Sequence, residues 1–294
     1  MKIGRIFTGL LLALLLAYPA VAEELEAIES IPVGKLKVLA LTDARGSATA
    51  AILPELSRFP EYAPLFANGP LSVVNRAFYL EDGSRKILVD SGWGLEQQEK
   101  KGHLYALLKV AGIEPASITD VLLTHMDFDH IGGLVKDGKP YFDNATLWIS
   151  QPEYEAWLAG NIQKRPEEKI KLAQDMAAIY KDRIKLFQFG SEILPGITAI
   201  DASGHTPGHT AYEIVSGPDK LVIGGDLMHI VEAQLPKPEL SAIYDMDMEK
   251  AAQTRIRLLQ QAVKDKSTFA GMHMEPISPV YERPDGGFMM RQPR

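Results

Sequence analysis

Four short apolar runs in this sequence each lead into a side chain able to ligate a metal, and no other feature constrains the fold as much. The run Asp120 to Thr124 leads into His125 and His130; Ile197 to Asp201 leads to His205. Leu221 to Gly225 leads to Asp226, and Thr268 to Met272 leads to His273. Strands that deliver such residues just past their C-terminal ends can bring them together on one rim of a packed sheet. Core packing accounts for one such histidine but not for four deliveries in one chain. The segment His125-Met126-Asp127-Phe128-Asp129-His130 concentrates the pattern, with four ligand-type side chains in six residues. A loop this dense in imidazole and carboxylate repels itself unless a cation neutralises it. The competing reading is a polar turn in which an aspartate caps a helix.

The chain has no cysteine. That excludes disulfides, thiolate metal ligands and cysteine nucleophiles, and leaves histidine and carboxylate to hold any metal. Its 294 residues, 46% apolar and 23% charged, suit one compact globular domain. A net charge of −7 argues against nucleic acid as a partner. Lys164-Arg165 and Lys169 lie among acids and read as solvated helix faces. At the N-terminus, Lys2 and Arg5 precede an apolar run from Ile6 to Ala17 and a small-residue pattern at Ala20-Val21-Ala22. This reads as a secretory signal peptide over residues 1–22, with the domain over 23–294 and a periplasmic or secreted location. No later segment is apolar enough to span a membrane, so no membrane partner is expected after cleavage.

Ten runs have strand character: 37–42, 73–80, 86–90, 120–124, 145–150, 184–189, 197–201, 211–216, 220–224 and 268–271. Glu81 to Arg85 carries a hairpin-turn signal. Helical spacing marks Leu95 to Ala111, Pro152 to Ala159, Arg165 to Tyr180, and Met248 to Val263 with Asp247 as N-cap. Strand groups followed by helices in two halves predict two packed sheets with helices outside.

Thr124 to Gly133, Gly204 to Thr210, Gly225-Asp226 and Gly271 to His273 resemble the ordered ligand motifs of the metallo-β-lactamase superfamily. Leu88 to Gly92 resembles its early strand-and-turn motif. Asp120 to Trp157, Gly225 to His229 and Thr254 to Arg257 are most similar to the branch holding methyl parathion hydrolase and lactonase-like enzymes. The resemblance implies a four-layer αββα sandwich and two divalent ions, zinc first, with Mn or Fe also admitted. One ion would be held by His125, Asp127 and His205, the other by Asp129, His130 and His273, with Asp226 bridging. It further implies hydrolysis of a lactone or other ester by a hydroxide bridging the ions. An organophosphate triester or a β-lactam is an alternative substrate, and a di-iron redox protein on the same fold is a more distant alternative. A non-catalytic binding protein is disfavoured, because every metal position keeps a ligand-type residue.

The family pattern is His-x-His-x-Asp-His, and Asp127 stands where the second histidine is expected. Three carboxylates against two divalent ions leave a formal +1 where two would leave +2. That implies a weaker Lewis acid and a harder ligand set. Asp129 is expected to help position the nucleophile, and His229 to donate to a substrate oxygen or shuttle a proton. His209 reads as a structural residue, Asp90 as a support rather than a ligand, and His103 as exposed on the charged side of a helix. Trp93, Met126, Phe128, His229 and Ile230 are candidate walls for a small apolar substrate. A homodimer is compatible with the sequence.

Overall fold

The computed structural model describes residues 24–94 and 102–291. The signal-peptide segment and the stretch 95–101 of the first expected helix lie outside the described residues. One sheet follows the order β1 (Ile28–Val33), β2 (Leu36–Ala48), β3 (Leu71–Glu81), β4 (Lys86–Val89), β5 (Asp120–Leu122), then β8 (Thr146–Ser150) and β9 (Ile184–Phe187). Between β5 and β8 lies a small hairpin of β6 (Val135–Lys136) and β7 (Lys139–Pro140). The second sheet runs in chain order through β10 (Glu192–Leu194), β11 (Ile197–Asp201), β12 (Thr210–Ser216), β13 (Asp219–Ile223), β14 (Thr268–Ala270), β15 (Ser278–Glu282) and β16 (Phe288–Met290). The helices are α1 (Leu104–Val110), α2 (Phe128–Ile131), α3 (Gln151–Leu158), α4 (Glu167–Tyr180), α5 (Val231–Gln234) and α6 (Met248–Asp265).

Period-two alternation builds the layers. On β3, Phe78 and Leu80 face the second sheet while Ala77 and Tyr79 face the helices. Leu122 of β5 points inward, and its neighbours Val121 and Leu123 point out. The inner core joins Val38, Phe78, Val89 and Leu122 to Ala199, Tyr212, Ile214 and Ile223 of the other sheet. Outside the first sheet, Leu104, Leu107 and Leu108 of α1, Trp157 of α3 and Met176 and Tyr180 of α4 close a second core. Outside the second sheet, Leu258, Leu259 and Ala262 of α6 pack on Ala211, Val222 and Phe269. The result is the expected αββα sandwich. Asp247 caps α6 as read from the sequence, its side chain accepting from the Lys250 N–H.

The strands that carry ligands end at one rim. β4 and β5 run parallel, as do β13 and β14. β11 is antiparallel to β12, which is antiparallel to β13, so β11 ends on the same side. Two backbone bonds stitch that rim: Thr210 N–H to Thr124 O at 2.8 Å, and Met272 N–H to Gly225 O at 3.1 Å.

Candidate metal centre

Asp226 occupies the middle of the rim. Gly225 delivers it in a left-handed turn (φ +59°), where a Cβ would meet His209 Nε2 at 2.3 Å, so only glycine fits. His125, His205, His273 and His229 place Nε2 atoms 3.8, 3.5, 3.1 and 3.4 Å from Asp226 Oδ2, and His130 Nε2 lies 3.2 Å from Oδ1. Asp129 Oδ2 is 3.7 Å from His130 Nε2 and 3.8 Å from His273 Nε2. Asp127 Oδ2 is 3.3 Å from the Nε2 atoms of both His125 and His205. An ion about 2.1 Å from each of four tetrahedral donors separates those donors by about 3.4 Å. Both sides of Asp226 therefore have the spacing of a metal shell. All seven residues named as ligands from the sequence converge here.

Four of the histidine rings are fixed through Nδ1. Nδ1–H groups donate from His125 to Thr124 Oγ1 at 3.0 Å, from His130 to Asp90 at 2.7 Å, from His205 to Asp245 at 3.0 Å and from His273 to the Val74 carbonyl at 2.6 Å. Each ring thus turns Nε2 toward the centre, the arrangement that orients metal-bound histidines. The Nε2 atoms of His125 and His130 and Oδ1 of Asp226 are buried without a hydrogen-bond partner. Buried polar atoms are nearly always paired, so these orphans fit a bound cation. Burial pushes the Asp226 carboxyl up, but His130, His273 and His125 outweigh it and hold it well below the usual carboxylate range.

His209 is no ligand. Its Nδ1 donates to the Ala202 carbonyl at 2.9 Å and its Nε2 accepts the Asp226 N–H at 3.1 Å, so both nitrogens are used. Burial and then the charge of His205 lower it to about 3. Asp90 supports His130 and Thr124, as expected. Exposed His103 precedes α1 rather than lying on its charged side. Asp127 does stand before α2, but its side chain makes no capping bond, which removes the alternative of a simple capped turn. Met126 is fully buried in the core beneath the first sheet, and Ile230 packs with Ile52, Leu53 and Leu240. Neither is a pocket wall, because the backbone turn that aims the flanking ligands at the rim sends these chains into the protein. Trp93 and Phe128 make an edge contact at 4.6 Å and stay partly exposed.

Four supports were not read from the sequence. Glu153 of α3 accepts from Met126 N–H, Trp157 Nε1–H, Thr206 Oγ1–H and Gly208 N–H at 2.7–3.0 Å, tying the 125 and 205 loops together. Asn75 of β3 donates to Asp129 Oδ2 at 3.2 Å. Asp245 holds His205 and faces buried Arg255 at 3.4 Å. Burial raises the Asp245 carboxyl, but His205 and then Arg255 bring it to about 2. Arg165, expected as a solvated cation, instead grips Asp127 with Nε on Oδ1 and Nη2 on Oδ2, both at 2.5 Å. Two divalent ions here would bring four positive charges; three carboxylates and one guanidinium would then leave a formal +2. The weaker Lewis acid inferred from Asp127 alone does not follow.

Residues 73–273 match the model of the metallo-β-lactamase superfamily, and the chain belongs to that superfamily. A crystal structure of the hydrolase AbOPH of the β-lactamase superfamily is 27% identical, with TM-score 0.80, over 90% of this chain and 96% of that one. The dizinc quorum-quenching lactonase AidC, solved with a product bound, shares the fold at TM-score 0.82 and 24% identity over 91% of this chain and 98% of that one. An N-acyl homoserine lactonase of Bacillus sp. is 28% identical over 135 residues, which is 45% of this chain and 48% of that protein. The chain thus spans about half the length of the curated relatives it matches.

Proposed function

We propose that this chain is an exported metal-dependent hydrolase that opens a lactone or another carboxylic ester at two divalent ions, zinc first among them. The observation that carries the reading is the set of four histidines whose Nδ1 atoms are tied and whose Nε2 atoms converge on Asp226. The N-acyl homoserine lactonase relatives support the ester class. His125, Asp127 and His205 would hold one ion and Asp129, His130 and His273 the other, with Asp226 between them. Such a pair supplies a Lewis acid for the substrate oxygen and a water acidified to near neutrality.

The chain's own groups do the rest. Asp129, which accepts from Asn75, would orient the attacking water. His229 lies against the shell, its Nδ1 buried without a partner. Burial lowers it against the pull of Asp226, so it presents a neutral ring near pH 7. That ring can donate one N–H to the leaving oxygen of the opened ester. With Asp226 and His273, His229 also forms a triad that could hold a metal; the donor role predicts that His229→Gln keeps both ions and loses about 100-fold in kcat. Loss of an ion in that variant would assign His229 to the shell instead. A panel of lactones, aryl esters and phosphotriesters tests the substrate class, with the lactones expected to give the largest kcat/KM. Export is tested by mass spectrometry of the mature protein, which should begin at or near Glu23.

A further inference from the structure

We propose that Arg165 makes the two metal subsites unequal, so that the His125–His205 side is the weaker and its ion the exchangeable one. The inference rests on the two-metal reading above and adds a residue that reading does not use. Arg165 takes both oxygens of Asp127, the geometry in which a guanidinium binds a carboxylate most firmly. Its Nη1 donates to the Tyr244 carbonyl at 3.1 Å, which fixes the fork from the other side. The Arg165 and Asp127 side chains are 9% and 7% exposed, so solvent screens the pair little.

The consequence is competition. Asp127 Oδ2 stands in a ligand position toward His125 and His205, yet it already accepts from Arg165. Arg165 Nη2 is 3.5 Å from His205 Nε2. An ion about 2.1 Å from that nitrogen would sit less than about 6 Å from a fixed positive charge. On the other side the partners are Asn75 for Asp129, Asp90 for His130 and the Val74 carbonyl for His273, none of them a cation. The sides share Asp226 and each has one histidine backed by a carboxylate, Asp245 for His205 and Asp90 for His130, so the difference in charge between them comes from the Arg165 guanidinium.

Zinc titration of the full-length mature chain against a chromophoric chelator tests this. The wild type should bind two ions in steps at least about tenfold apart. Arg165→Met should tighten the weaker step by about tenfold or more and leave the tighter step within about threefold. Arg165→Lys, which keeps the charge, should leave the weaker step weak. A weaker step unchanged or loosened in Arg165→Met overturns the proposal, as do equal steps in the wild type. If Arg165→Met does not fold, histidine NMR of the wild type at one equivalent of zinc gives the same answer. Signals of His130 and His273 should shift before those of His125 and His205, and the reverse order overturns the proposal. A wild type that binds no zinc overturns this inference and the hydrolase reading together; two ions bound with no response to Arg165 overturns this inference alone.

Discussion

The two sides of the centre use the same ligand types and share Asp226, but the protein holds them differently. The side of Asp129, His130 and His273 leans on the first sheet: Val74 and Asn75 of β3 and Asp90 at the end of β4 contact all three residues. The side of His125, Asp127 and His205 leans on elements outside that sheet. Glu153 of α3 ties its two loops, Asp245 orients His205, and Arg165 takes Asp127. A site anchored on strands is rigid by construction, whereas one anchored by long-range polar contacts depends on each of them. The His125, Asp127 and His205 side is therefore where single substitutions should act selectively.

The largest expected effect removes the comparison altogether. Asp226→Ala takes a ligand from both sides and should cost at least about 1,000-fold in hydrolysis with loss of both ions, measured by kinetics and metal analysis. Next come the single-side variants. Asp127→Ala leaves the Arg165 guanidinium without its carboxylate in a nearly closed site, and should cost about 3–5 kcal/mol of stability in denaturant titration of the chelated protein. Asp127→His restores the family's usual ligand type but sets an imidazole against Arg165. We expect it to gain zinc affinity only when combined with Arg165→Met, and a gain in the single variant would show that Arg165 moves aside.

Smaller effects sharpen the contrast. Glu153→Ala should weaken the His125–His205 side by about 10–100-fold and Asn75→Ala should weaken the Asp129–His273 side by about tenfold, each sparing the other side in stepwise zinc titration. The smallest concerns pH. His209 is held neutral in the fold, at about 3, against an ordinary 6.5 in the unfolded chain. Between those values the unfolded chain binds the extra proton, so stability of the chelated protein should fall as pH falls from 6.5 toward 3. His209→Gln should flatten that slope, read from denaturation midpoints across the range.

The candidate ligands were legible because each follows a strand whose apolar run marks its end, and the loop from His125 to His130 concentrates charges that a cation would neutralise. The αββα layering was legible from the same runs. Strand β1 carries Pro32 and β15 carries Pro279, and proline masks a strand signal; β10 is three residues long. The supports were not legible for a different reason. Asn75 lies 54 residues from Asp129, and Arg165 lies 38 residues from Asp127. Arg165 precedes α4, where its neighbours Lys164, Glu167 and Glu168 have the pattern of a solvated surface. Only the packing of that segment beside the 125–130 loop turns it inward.

Zinc content and lactone hydrolysis followed in one sample, through removal and return of the metal, test the central claim most directly. Two zinc ions per chain, hydrolysis lost on chelation and recovered as zinc is returned, are the expected result. Hydrolysis at the full rate in a chain stripped of metal would contradict it.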